Sequence, residues 1–308
     1  MIQQLRSIFM VLAFVVGGIF HAEIAPMRSF LPWGIALMLS ITFIGIDVKR
    51  LKPRRMHLWV LLVIQLLGFA FWGVAMLLGQ PVLAECLFYC AMAPIASASP
   101  IIVSLLKGDV EFSTTAVVLS HICFGLLMPL LMPLILHAPE FSYFHLAGEV
   151  AMQLSTVLAI PALVAIILRR IYPSCRYWAP RLRDFSLAVW IVNLTIVAAG
   201  GTHRVLEIES SWQEMLPMAL GAMVVCAVGF VGGYWLGYPH LKRECSQALG
   251  QKNTILTLYM AGQGFASPLA YIGPAFYVFC HNTANAIQLS LAAREERRRM
   301  IKDSPPSP

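Results

Sequence analysis

Apolar residues fall into ten long stretches separated by short polar segments. The stretches lie at about 5–22, 29–47, 57–79, 81–106, 112–136, 146–168, 185–201, 215–238, 244–270 and 272–293. A helix that crosses a bilayer needs about 20 largely apolar residues, so the pattern predicts ten transmembrane helices. No single apolar face of helical period dominates these windows, as expected of helices that meet lipid on one side and protein on the other. No connection is long enough for a soluble domain. After Arg294 the pattern turns charged and ends Ser304-Pro305-Pro306-Ser307-Pro308. Residues 294–308 are therefore expected to form a basic, unstructured cytoplasmic tail.

Composition sharpens this picture. Of 308 residues 59% are apolar and 12% charged, against about 45–50% and about 25% in soluble domains. The mean hydropathy is +0.75. So little charge cannot cover a globule of this size, which excludes a soluble enzyme, a disordered chain and, despite a net charge of +7, a nucleic-acid binder. The class is an all-α polytopic membrane protein. The seven cysteines form no CxxC pair. Cys86 and Cys90 stand one turn apart without a His or acid at ligand spacing, so neither a disulfide framework nor a metal site is expected. No cofactor and no obligatory protein partner is indicated beyond the lipid bilayer.

Charge then fixes the orientation. The first stretch has signal-peptide features: Arg6, a short apolar core, and small residues near Ala22. With that stretch kept as a span and the N-terminus inside, 19 of the 22 Lys and Arg residues fall on the inner side. Only Arg28 and Arg204 fall outside, and Lys252 falls within a span. Deleting the first span would reverse every later loop, so the positive-inside rule favours ten spans with both termini cytoplasmic. The short tail and loops fit a bacterial inner membrane.

Ten spans divide into two sets of five. Five is odd, so the halves 1–145 and 146–293 would enter from opposite faces, the arithmetic of an inverted repeat. Such folds place interrupted helices at matching positions, here the fourth and ninth spans. The fourth contains Pro94-Ile95-Ala96-Ser97-Ala98-Ser99-Pro100. Each proline removes a backbone donor and clashes with the preceding turn. The segment reads either as chain unwound deep in the membrane, tolerated only where protein or water lines it, or as a kink with Ser97 and Ser99 bonding back to helix carbonyls. The ninth contains Gly250-Gln251-Lys252-Asn253. Counted from Glu244, Lys252 lies roughly 12 Å deep, near the middle of a core about 30 Å thick. A lysine there costs at least about 2.5–3.5 kcal/mol and is by default a functional residue. The acids that could pair with it, Asp47, Glu85 and Glu149, lie near span ends.

The remaining polar features carry less weight. Gly229, Gly233 and Gly237 in the eighth span read as close helix packing. His121 and His281 occupy the fifth span of each half, where a lone His is more often a satisfied hydrogen bonder than a proton carrier. Asn282 and Asn285 after His281 give the tenth span a polar stripe.

These residues resemble the bile acid:sodium symporter family over about 5–295, most strongly in Ala93–Asp109 (APIASASPIIVSLLKGD) and Lys242–Ala293, with GQKN followed by FYVFCHNTANAIQLSLAA. The resemblance implies ten helices in two inverted five-helix repeats. A panel of spans 1, 2, 6 and 7 would face a core in which spans 4 and 9 cross at their breaks. It implies inward transport of organic anions coupled to two sodium ions. Carried over by position, the first ion site would involve Ser99, Pro100, Ser113, Val117 and Ala248. The second would involve Gln65, Ala248 and the chain at Gly250 and Gln251, with Lys252. Substrate would meet Ser97, Ser99, Asn253, His281 and Asn282.

The departures from the family pattern carry the functional expectation. Sodium-binding members present Asn, Thr, Glu and Gln where this chain has Pro100, Val117, Ala248 and Lys252. Ala and Val offer no oxygen to a hard cation, and a positive charge has been added. The expectation is a transporter of an organic monoanion, from small keto or hydroxy acids to sterol acids, working by alternating access. Sodium would be dispensable because the Lys252 ammonium replaces it and donates to exposed carbonyls. Three alternatives compete: a sodium- or proton-coupled symporter, an arsenite effluxer, and a membrane sensor that binds without transporting. Cys90 precedes Pro94, on the wrong side of the break for the arsenite reading. No HExxH, paired Asp or nucleophile–base motif supports an intramembrane enzyme.

Overall fold

The computed structural model describes residues 2–46, 51–136, 142–207, 212–261 and 267–303. Among these the chain is helical throughout, apart from turns and one isolated β-bridge. The first half contains α1 (Ile2–Ile19), α2 (Leu31–Gly45), α3 (Arg55–Leu77), α4 (Pro81–Met92), α5 (Ser99–Leu105) and α6 (Val110–Ile135). The second contains α7 (Tyr143–Leu154), α8 (Ile160–Ile171), α9 (Arg183–Glu207), α10 (Trp212–Leu236), α11 (Lys242–Gly250), α12 (Thr254–Ala261) and α13 (Ile272–Asp303).

Among the described residues six helical runs are long and apolar enough to cross a membrane: His21–Gly45, Arg55–Leu77, Val110–Ile135, Tyr143–Ile171, Asp184–His203 and Trp212–Leu236. Their outer faces carry large apolar side chains, including Leu66, Leu126, Leu134, Ile166 and Val231, all exposed. Such a surface is stable in lipid and not in water. All seven cysteines are free.

Local chemistry explains most helix ends. Pro81 and Pro100 stand in the first turns of α4 and α5, where a missing N–H costs nothing. Asp109 caps α6 by accepting from the Phe112 N–H at 2.9 Å, and Ser142 caps α7 by accepting from the His145 N–H. At the end of α5, Lys107 takes a left-handed conformation (φ 58°). The Lys107 and Gly108 N–H groups then return to the Ser104 and Val103 carbonyls, a Schellman ending with Lys in the usual glycine place.

The stretch at 146–168 lies within one helical run, Tyr143–Ile171, in which a π-turn at Ser155–Ala159 joins α7 to α8. One expectation needs correction: residues 294–303 are not unstructured, because α13 continues to Asp303. Glu and Arg are good helix formers.

The helices sort into two groups. α1, α2, α8 and α9 pack mainly on one another. α3 to α7 and α10 to α13 form the second group, with α7 packed on α6 and α10 lying along α11 and α13. The groups touch through Phe14 against Phe279 and through the Tyr271 hydroxyl, which donates to the Val197 carbonyl.

The closest approach within the second group is made by the glycine stripe of α10. A Cβ at Gly229 would lie 2.7 Å from the Leu249 carbonyl oxygen, and one at Gly233 would lie 2.7 Å from the Cys245 carbonyl carbon. The neighbouring atoms are α11 backbone and cannot swing away. Gly233→Ala should therefore destabilise the fold by about 1–3 kcal/mol. A lower midpoint for thermal unfolding in detergent, with Gly232→Ala as the unhindered control, is the expected result.

Candidate functional site

The site begins with two interruptions that complete each other. α4 stops at Met92, and Ala93 turns extended (ψ 137°), as a residue before proline must. The chain resumes helix only at Ser99. α11 stops at Gly250, Gln251 turns extended (ψ 101°), and Asn253 precedes α12 with its Oδ1 facing the Leu256 N–H at 3.4 Å. Between the breaks Ile95 and Lys252 form an antiparallel bridge. The Ala96 N–H donates to the Gln251 carbonyl at 2.9 Å, and the Asn253 N–H donates to the Pro94 carbonyl at 2.8 Å. The Ile95 N–H reaches the Ser120 hydroxyl at 3.1 Å. The Gly250 carbonyl accepts from the Tyr277 hydroxyl at 2.9 Å. Ser99 does not bond back along its own helix, so the simple-kink reading fails.

Lys252 stands at this crossing with 3% of its surface exposed. Among the described residues its Nζ has no hydrogen-bond partner. The ammonium therefore does not tie the breaks together by donating to carbonyls, as the sequence suggested; the backbone bridge does that. Glu85, the most deeply placed of the acids considered for pairing, gives its Oε2 to the Ser267 N–H at 3.0 Å. Asp47 lies outside the described residues.

The ion-site positions are brought together but not as oxygen ligands. Val117 and Ala248 sit in one apolar cluster with Ile95, Ala116 and Leu249. The hydroxyls of Ser99 and Ser113 meet each other at 3.2 Å. Pro100 begins α5 beside them. Gln65, on α3, donates from its Nε2 to the Cys123 sulfur at 3.8 Å, and its Oε1 is buried without a partner among the described residues. Gly250 and Gln251 both spend their carbonyls on the crossing, while Gln251 Oε1 is also orphaned.

The substrate positions divide. Ser97 and Asn253 are partly exposed at the breaks. Asn253 meets His121, Nδ2 to Nε2, at 3.2 Å. His281 is buried edge-on against Tyr277, with its Nδ1 unpartnered. Asn282 donates to the Val278 carbonyl of its own helix, so the polar stripe of α13 splits. Asn285 instead faces α11, where the Gln247 Nε2 donates to both Asn285 and Gln288 at 2.9 Å.

Two features escaped sequence reasoning. Glu85, in α4, accepts from the backbone N–H of Ser267, just beyond α12. Glu244, in α11, accepts from the backbone N–H of Asp109, just beyond α5. Each broken helix thus accepts from a backbone N–H that follows the other in sequence. An acid near a span end is unremarkable in sequence, and only the reciprocity distinguishes these two.

A family model described as the Sodium Bile acid symporter family matches residues 32–208, more than half of the chain. The chain belongs to the sodium bile acid symporter family. It is therefore a multi-pass membrane protein of a transporter family. No curated protein sequence matches it. The family match takes in the first break and stops before the second, so Lys252 lies outside the matched span.

At the end of the crossing near Glu244, Asp109 also pairs with Arg54 at 2.8 Å. Partial burial alone would raise the Asp109 carboxyl, but the Phe112 N–H and the Arg54 guanidinium hold it below the usual carboxylate range. A carboxyl lowered in the folded state stabilises above its unfolded pKa of about 3.9 and loses that contribution as pH falls through the folded value. Asp109→Asn should thus unfold at a lower temperature than wild type at pH 7. The gap should begin to shrink on acidification below about pH 4, where the unfolded-state carboxyl protonates, and close once pH falls past the lower folded value.

Proposed function

We propose that this protein is a secondary transporter of an organic monoanion that needs no sodium ion, with the Lys252 ammonium serving in place of the cation. The observation that carries the reading is the state of the ion positions. Val117 and Ala248 are packed in apolar contact, the Ser99 and Ser113 hydroxyls satisfy each other, and a buried, unpartnered ammonium stands at the crossing. A hard cation needs oxygen ligands, and a fixed positive charge beside the site would repel it. An ammonium buried without an acceptor is costly. An anion arriving in the gap relieves that cost, so charge selects the substrate class.

The architecture behind the reading is ten spans in two inverted repeats, 1–145 and 146–293. The remaining spans are α1, the two interrupted helices and α13. The antiparallel bridge and the reciprocal Glu85 and Glu244 contacts support a two-fold relation between the halves. The two packing groups correspond to a panel and a core whose relative movement would give alternating access. Substrate would enter between them, at Ser97, Ser99, Asn253, His281 and Asn282. The distribution of Lys and Arg supports cytoplasmic termini, with 294–308 on that side, and the short loops suit a bacterial inner membrane.

Uptake into proteoliposomes tests the reading, with labelled sterol acids and small keto and hydroxy acids, in sodium, in potassium and under an imposed proton gradient. Equal uptake in sodium and potassium is expected, and strict sodium dependence would overturn the surrogate role. Lys252→Gln should abolish uptake or make it cation-dependent; unaltered uptake would reduce Lys252 to a structural residue. Saturable binding without flux would instead identify a sensor.

A further inference from the structure

The His121–Asn253 contact assigns more than a packing role. His121, on α6, is 3% exposed. Its Nδ1 lies 2.9 Å from the Val117 carbonyl oxygen. A carbonyl can only accept, so Nδ1 carries the proton and Nε2 presents a lone pair. Phe43 of α2 packs edge-on against the ring, centroids 6.3 Å apart at 89°, and holds it in that plane.

The tautomer then fixes the amide. Nε2 can only accept, so the Asn253 group 3.2 Å away must be its NH2. The other end of the amide agrees: Oδ1 faces the Leu256 N–H at 3.4 Å at the start of α12. Turning the amide over would set oxygen against lone pair and NH2 against N–H. One Nδ2 hydrogen is used on His121. The second has no partner among the described residues, and Asn253 is partly exposed at the break. The amide's remaining capacity is therefore a donor, while its acceptor is turned into the helix.

We infer that His121 is a specificity-determining residue of this site: by locking the Asn253 amide with its NH2 outward, it fits the gap to a carboxylate oxygen and against a group that must donate. The inference rests on the anion-transport reading, and it deepens that reading by naming what recognises the anion's acid group. His121 acts through Asn253 and is a positioning residue. A carboxylate accepts from the free Nδ2–H. The corresponding carboxamide can offer its oxygen there but brings an NH2 that finds no lone pair on Asn253, and a site built for one pattern discriminates against the other.

Two measurements test it. The first is the ¹⁵N spectrum of histidine-labelled protein in detergent at pH 7, with His121→Phe used to assign the resonance. An Nδ1-protonated, Nε2-bare imidazole is expected; an Nε2-protonated or doubly protonated ring overturns the inference, whatever the protein transports. The second is equilibrium binding of a labelled sterol acid and its carboxamide to purified protein. His121→Phe keeps the ring volume and removes both nitrogens, so it should cut the preference for the acid about tenfold, or about 1.4 kcal/mol. His121→Gln can return an acceptor oxygen to the Asn253 NH2 and should restore most of that preference. Wild-type preference retained in His121→Phe overturns the inference, as does equal wild-type binding of acid and carboxamide. Binding with the expected preference but without flux would fail the transport reading and leave the recognition intact.

Discussion

Backbone polar groups cannot be left unpaired in the middle of a bilayer, and the core of this protein is organised around that constraint. Helix normally satisfies it segment by segment. Here two helices are broken at depth, and the N–H and C=O groups that one break frees are the partners of those freed by the other. Ser120 and Tyr277 add partners from neighbouring helices. The glycine stripe of α10 lets α11 lie close enough for the bridge to form. Phe230, beside that stripe, occupies the space a side chain at Gly250 would need.

The crossing also bears on the proposal that no sodium ion is needed. Lys252 cannot leave the bridge without breaking it, so the residue that carries the charge is held at the crossing. With that charge in place, oxygen ligands nearby would be held for an ion that is repelled, and apolar packing of Val117 and Ala248 is the cheaper arrangement. The buried orphans agree with a site organised about charge: the Lys252 ammonium and the oxygens of Gln65 and Gln251 are unpaired, while the hydroxyls are not.

Much of this was legible because breaks leave local marks. Two prolines around small residues announced the first, and the polar Gly250-Gln251-Lys252-Asn253 cluster in an otherwise apolar span announced the second. Lys252 stood out because charge is so scarce in the spans. The π-turn between α7 and α8 left no mark, since an extra residue in a helix needs no special side chain. The tail misled because Ser-Pro repeats at its end hid a charged helix before them. The contacts of Glu85, Glu244 and His121 were invisible for a different reason. Their partners are backbone N–H groups or a distant amide, 182, 135 and 132 residues away in sequence, and any acid or His has many such options. Only the fold says which one is taken.

The reciprocity of the two acids has a consequence for how the chain is made. Glu85 is synthesised 182 residues before the Ser267 amide it accepts from. At about 5–20 residues per second, the first broken helix waits roughly 10–40 seconds for its counterpart. Throughout that interval the Pro94 carbonyl and the Ala96 N–H have no mate within the nascent chain. The first half must therefore be inserted either with water still at its break or under the shelter of the insertion machinery. Biogenesis of this protein is closed by its second broken helix, and a ribosome stalled before Lys252 would leave behind a membrane-embedded chain with its centre still open.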